Sequence, residues 1–138
     1  IGLGVVDAHI IDAVNILRAT LMAMKEAVLG LASPVDYLLI DGKNRIAVAI
    51  PQETILKGDC LSISVASASI VAKVSRDRIM EMYHRQFPQY NFLCNKGYGT
   101  EEHREAIRKY GCCKIHRRSF KVKSKSTGRR QTTYQLIP

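Results

Sequence analysis

The stretch "DYLLIDG" (36–42) decides how this chain is read. Tyr37 to Ile40 form an apolar run too short for a helix, and Asp41-Gly42 closes it with turn residues, so the run reads as a buried strand over 36–40. The pattern recurs in "ETILKGD" (53–59), where a second strand over 53–57 runs into Gly58-Asp59. If the two strands are neighbours ending at one edge, Asp41 and Asp59 converge where open α/β sheets bind ligands. Two converging carboxylates repel unless a cation lies between them, and Mg²⁺ accepts such ligands. Spacing alone still favours a plainer reading, two ordinary Asp-Gly turns.

Outward from these strands the pattern is helical. "IGLGVV" (1–6) reads as the end of a strand, and Asp7 as the cap of the helix that follows. Ile10, Val14, Leu17, Leu21, Met24 and Val28 recur at steps of three and four, which predicts one amphipathic helix ending near Gly30. Residues 60–87 predict a second long helix, stopped by Pro88, whose small side chains (Ser62, Ser64, Ala66, Ala68) suit close approach to a sheet. Thr100 caps a last helix that Gly111 closes. Strands interspersed with helices give an α/β layer structure, although two or three strands are few for it.

The chain has 138 residues, one domain's worth, with 46% hydrophobic and 24% charged residues. No apolar run approaches the length of a membrane span, and no signal peptide precedes the first helix. Without a secretory signal, Cys60, Cys94, Cys112 and Cys113 read as reduced cytosolic thiols, and the lack of a C-x-x-C pair argues against zinc held with His103 and His116. The net charge of +9 is uneven: residues 114–138 hold eight basic side chains and no acid. A nearly neutral body with a basic end suits a polyanionic partner, most often nucleic acid; a solvated tail is the plainer alternative.

Three further features carry chemistry. In "NKGYGT" (95–100) Tyr98 stands between Gly97 and Gly99, after Lys96. That is an ordinary turn, or a loop pressed against a ligand. Asp77 in "SRDR" (75–78) is a rival third acid, for which local ion pairing is the simpler account. His116 in "IHRRSF" (115–120) suits a phosphate contact or a general acid.

Together "IDAVNILRATLMAM" (11–24), "LLIDG" (38–42), "ILKGDCLSISVASASIVAKVSRDRIM" (55–80), "KGYGTEEHREAIRKYG" (96–111) and "IHRRSF" (115–120) resemble bacterial ribonuclease HII, the type 2 ribonuclease H. The resemblance implies a truncated ribonuclease H-like fold over residues 1–120, a small sheet packed by helices, with a basic tail at 121–138. It implies an endonuclease acting on the RNA strand of RNA–DNA hybrids and at ribonucleotides embedded in duplex DNA, using two Mn²⁺ or Mg²⁺ ions. Asp41 and Asp59 fall on the family's third and fourth metal-binding carboxylates. Tyr98 falls on the tyrosine that recognises the ribonucleotide–deoxynucleotide junction, with Gly97 and Gly99 admitting the minor groove. Lys96, Arg117 and Arg118 become phosphate contacts. The family's opening Asp-Glu-x-Gly-Arg-Gly-type motif has no counterpart here, so the expectation is an incomplete catalytic domain, monomeric when whole and cytoplasmic. The competing expectation is a nucleic-acid-binding fragment without catalysis.

Overall fold

The computed structural model describes residues 1–120; the basic tail expected at 121–138 lies outside the described residues. Strand β1 (Leu38–Asp41) pairs in parallel with β2 (Gln52–Ile55), placing Leu38 opposite Gln52 and Asp41 opposite Ile55. Residues 42–51 make the crossover without a helix. They are held by Gln52, whose Oε1 accepts from the Ile46 amide at 2.9 Å while its Nε2 donates to the Ile46 carbonyl at 3.0 Å.

Alternation along β1 buries Leu38 and Ile40 and leaves Leu39 and Asp41 exposed, as the two-residue period of a strand requires. Leu38, Ile40 and Ile46 form a small core, against which Leu21, Met24 and Val28 of helix α2 (Ile16–Leu29) pack with Val35, Val48 and Ile50. Each such side chain contributes roughly 1.5–3 kcal/mol when fully buried.

The expected single helix from Asp7 to Gly30 is two: α1 (Ala8–Val14) and α2, broken at Asn15. Asn15 takes a positive φ of 75°, and its side chain accepts from the Arg18 amide at 3.1 Å. The apolar stripe ran on without a break, but a capping carboxamide inside it competed successfully with helix continuation. Asp7 precedes α1 without making a side-chain cap.

Residues 1–6 are not a strand; they run along α2 instead. A Cβ at Gly2 or Gly4 would lie 1.8 Å from the carbonyl oxygen of Ala27 or Ala23, so the two glycines allow the segment to lie directly on the helix backbone.

The helix expected over 60–87 is likewise divided, into α3 (Gly58–Leu61) and α4 (Ile63–Gln86), by the extended backbone of Ser62. As expected, α4 approaches the sheet at β1, where Val65 is buried and Ala66 half-buried, while Ser64 and Ala68 are left uncovered. Leu61 and Ile63, 74% and 87% exposed, share that uncovered region of the chain. The remaining elements are a 3₁₀ turn (Pro88–Tyr90), α5 (Phe92–Asn95) and α6 (Glu101–Tyr110).

As expected, Thr100 caps α6, its Oγ1 accepting from the His103 amide at 3.2 Å, and Gly111 ends it. No described helix is long and apolar enough to cross a membrane.

Candidate functional site

Asp41 ends β1 on the exposed side, where the strand's alternation turns its carboxylate away from the core. After β2 the chain reverses through Lys57, in the left-handed region at φ 55°, and enters α3 at Gly58. The buried Gly58 amide donates to Asp41 Oδ1 at 2.9 Å. That bond fastens the start of α3 to the end of β1 and brings the next residue, Asp59, to the same carboxyl edge of the sheet. Asp59 lies in the first turn of α3 and is exposed.

Both side chains offer hard oxygen donors, which suit Mg²⁺ or Mn²⁺. Among the described residues no group of three or more His, Cys, Asp and Glu gathers to hold a metal. The two carboxylates therefore fit part of a metal site. Asp77 is on α4, its Oδ2 3.1 Å from Lys73 Nζ, so its partner is one turn back and not a flanking arginine.

The loop after α5 is built around Asn95, a buried side chain. Its Nδ2 donates to the Tyr90 carbonyl at 2.6 Å and its Oδ1 accepts from the Gly97 amide at 2.8 Å. Gly97 has φ +80°, and a Cβ there would press on Met80 at 3.0 Å, so this position requires glycine. Gly99 is different: a Cβ there would meet Arg104 at an ordinary 3.8 Å. The conformational expectation thus holds for one glycine of the pair.

Tyr98 is 63% exposed, and the Arg76 guanidinium lies 4.9 Å from its ring centroid. Its hydroxyl makes no hydrogen bond among the described residues. Lys96 takes the left-handed region at φ 48°, and its Nζ is 2.7 Å from Glu81 Oε1.

Residues 112–120 are fixed at two points. Asp12 of α1 accepts from the Arg118 amide at 2.7 Å and from the Ser119 amide at 3.1 Å, and also from the Ser119 hydroxyl. Chiefly through that hydroxyl, the Asp12 carboxyl is held below its ordinary 3.8. Arg117 lies over the Phe120 ring at 4.8 Å.

At the second point, His116 enters an aromatic cluster with Tyr90, Phe92 and His103. Its Nδ1 accepts from the Cys113 amide at 3.0 Å, and its Nε2 is 3.0 Å from His103 Nε2. A depression of about 410 Å³ opens beside it, lined by His9, Asp12, Lys114, His116 and Arg118. Its lining includes neither Asp41 nor Asp59.

Burial lowers the His116 pKa from its ordinary 6.5, and the nearby His103 acts in the same direction. The unfolded chain then binds a proton that the folded chain refuses. Stability from this group is fully present above about pH 6.5 and is lost as pH falls through the lowered value. The melting temperature of the chain should therefore decline from about pH 6.5 to 5, and His116→Phe should flatten that decline. Equal declines in both proteins would show that His116 does not titrate with folding.

Sequence reasoning missed Asn95, Arg76, His103 and Asp12. An Asn two residues before a glycine is a recognisable turn signal. The other three act only through tertiary contacts.

A family model described as Ribonuclease HII matches residues 3–123. A protein named Ribonuclease HII from Syntrophus aciditrophicus is 72% identical over 124 residues, covering 90% of this chain and 58% of the relative. One of the same name from Caldanaerobacter subterraneus subsp. tengcongensis is 56% identical, covering 86% and 49%. A third, from Geotalea uraniireducens, is 55% identical, covering 88% and 56%. The chain spans about half the length of the curated relatives it matches.

Proposed function

Because the chain belongs to the ribonuclease HII family, we propose that it carries two of the metal-binding carboxylates of an endonuclease that cleaves the RNA strand of RNA–DNA hybrids and cuts at ribonucleotides in duplex DNA. One observation carries this reading: the Gly58 amide on Asp41 Oδ1 joins the ends of β1 and α3, so Asp41 and Asp59 share the sheet's carboxyl edge. Divalent Mn²⁺ or Mg²⁺, when bound, would supply a Lewis acid to the scissile phosphate and a nucleophilic water. Asp41, oriented by the Gly58 amide, and Asp59 would hold the metal.

The chain's other residues bind and orient substrate. Arg117 and Arg118 meet phosphates, adding affinity without selectivity. Lys96 joins them only by exchanging its Glu81 partner for phosphate. Tyr98 offers an exposed ring and a hydroxyl able to meet a ribose 2′-OH, the group that separates RNA from DNA. At Gly99 only the flexible Arg104 side chain stands near the Cβ position, so a sugar can approach the backbone there. His116, half-buried and packed edge-on against Tyr90, supports the fold, and Asp77 pairs with Lys73 within α4. On this reading the protein works in the cytoplasm, with residues 1–120 as its catalytic portion and the complete protein a monomer.

Titrating Mn²⁺ into a hybrid-cleavage assay, with the chain extended to the length of its relatives, tests the proposal. Cleavage should rise saturably with Mn²⁺, and cleavage indifferent to a chelator would overturn it.

A second reading, nucleic-acid binding without catalysis, is favoured by the two carboxylates standing without a third ligand group among the described residues. It expects hybrid binding unchanged by metal.

Tyr98 supplies a further test. In the extended protein Tyr98→Ala should lower cleavage at a single embedded ribonucleotide about 10-fold more than cleavage of a long hybrid, the worth of one hydrogen bond to a charged or closely fitted group. Equal losses on the two substrates would remove Tyr98 from junction recognition.

A further inference from the structure

Three contacts run in series from the C-terminal segment to the tyrosine loop. The Cys113 amide donates to His116 Nδ1 at 3.0 Å, His116 Nε2 lies 3.0 Å from His103 Nε2, and His103 Nδ1 lies 2.9 Å from the Tyr98 carbonyl oxygen. One arrangement of protons satisfies all three. His116 Nδ1 must accept, which places its hydrogen on Nε2. That hydrogen makes His103 Nε2 an acceptor, which places the second ring's hydrogen on Nδ1, where the Tyr98 carbonyl can receive it. His103 is itself buried, at 4% exposure, with Phe92 edge-on at 5.4 Å and Tyr90 at 6.3 Å, so its ring cannot swing to another partner.

The same carbonyl also accepts from the Thr100 amide at 2.8 Å. Tyr98 is thus gripped by its backbone while its side chain stays exposed. At the far end, Asp12 fixes residues 118 and 119, so the series terminates in an anchored segment.

We propose that His103 and His116 are positioning residues for Tyr98: His116 sets the tautomer of His103, and His103 uses it to fix the Tyr98 carbonyl and thereby the direction of the exposed ring. The proposal rests on the reading of Tyr98 as the residue that meets the ribonucleotide. It adds that the loop's selectivity is set by two histidines, His103 buried and His116 half-buried, that touch no substrate.

Asparagine and glutamine separate the two ring nitrogens, since an Asn amide overlays Nδ1 and a Gln amide overlays Nε2. His103→Asn keeps the donor to the Tyr98 carbonyl, and His103→Gln keeps only the link to His116. His116→Gln keeps the donor to His103, and His116→Asn loses it.

The experiment uses the 138-residue chain. Imidazole ¹⁵N shifts at pH 8 give each tautomer, and fluorescence anisotropy gives the ratio of affinities for a duplex with one ribonucleotide and the same duplex in DNA. The expected shifts show His103 protonated on Nδ1 and His116 on Nε2. The affinity ratio should survive His103→Asn and His116→Gln, and fall about 5–10-fold in His103→Gln and His116→Asn, as does loss of one hydrogen bond. A purely structural role would track folding stability, measured by melting, and not this pairing of variants.

His103 protonated on Nε2 would overturn the proposal. So would a ratio that falls with Tyr98→Ala but is indifferent to His103→Gln. A ratio indifferent to Tyr98→Ala would overturn the reading of Tyr98 itself, and the proposal with it.

Discussion

Asp41→Ala and Asp59→Ala should each lower Mn²⁺-supported cleavage of an RNA–DNA hybrid by at least about 100-fold, while differing in what they do to the fold. The activity loss follows from the several kcal/mol that a bound metal contributes at the transition state, at about 1.4 kcal/mol per tenfold. The difference follows from the partners of the two carboxylates. Asp41 Oδ1 receives the amide of Gly58, a buried residue, and removing the acceptor leaves that N–H without a partner. A lost acceptor of this kind costs about 1–3 kcal/mol. Asp59 is exposed, and its removal should change stability by no more than about 0.5 kcal/mol. Asp41→Asn restores an acceptor without the charge, so it should recover most of the stability and none of the activity. Urea melts of the 138-residue chain and hybrid cleavage by the extended protein give the two readouts. An active Asp59→Ala would remove it from the ligand set.

Phe92→Ala should be the most damaging single substitution for the fold, at about 3–5 kcal/mol. Phe92 is 1% exposed and stacks on Tyr90 at 5.5 Å between centroids, with His103 edge-on and His116 alongside. No other described side chain is so large and so fully enclosed. A domain stable by only about 5–15 kcal/mol loses a large share of its margin from such a cavity. The same cavity loosens the ring pair behind Tyr98, so the loop should lose its hydrogen-exchange protection before α2 does. Leu93, next in sequence but 49% exposed, is the control, and its alanine variant should melt within a few degrees of the parent. A loss below about 1 kcal/mol for Phe92→Ala would show that the aromatic cluster does not support the fold.

The local elements were legible because they follow from short-range chemistry. Four apolar residues before Asp41-Gly42 suffice for a strand, and alternation then decides that Asp41 leaves the core when Leu38 and Ile40 enter it. Thr100 and Gly111 bound α6 by capping, which involves only neighbouring residues. Where a local conflict existed, the apolar period misled: Asn15 breaks a helix that the stripe carries straight through, and Ser62 divides the helix read over 60–87. Residues 1–6 read as the end of a strand, but Gly2 and Gly4 serve contact with the α2 backbone, which no period records.

The sequence by itself determined the family, the two strands, and the type of residue at each candidate position, since these depend on identity and spacing along the chain. Only the tertiary structure decided which groups meet. The parallel register brings Ile55 opposite Asp41 and so delivers the Gly58 amide to the carboxylate 17 residues earlier. The fold also seats His116 against His103, and Arg76 over Tyr98. Such contacts depend on chain reversals and packing angles, and a hydrogen bond that forms only within about 3 Å leaves no mark in the order of the residues that make it.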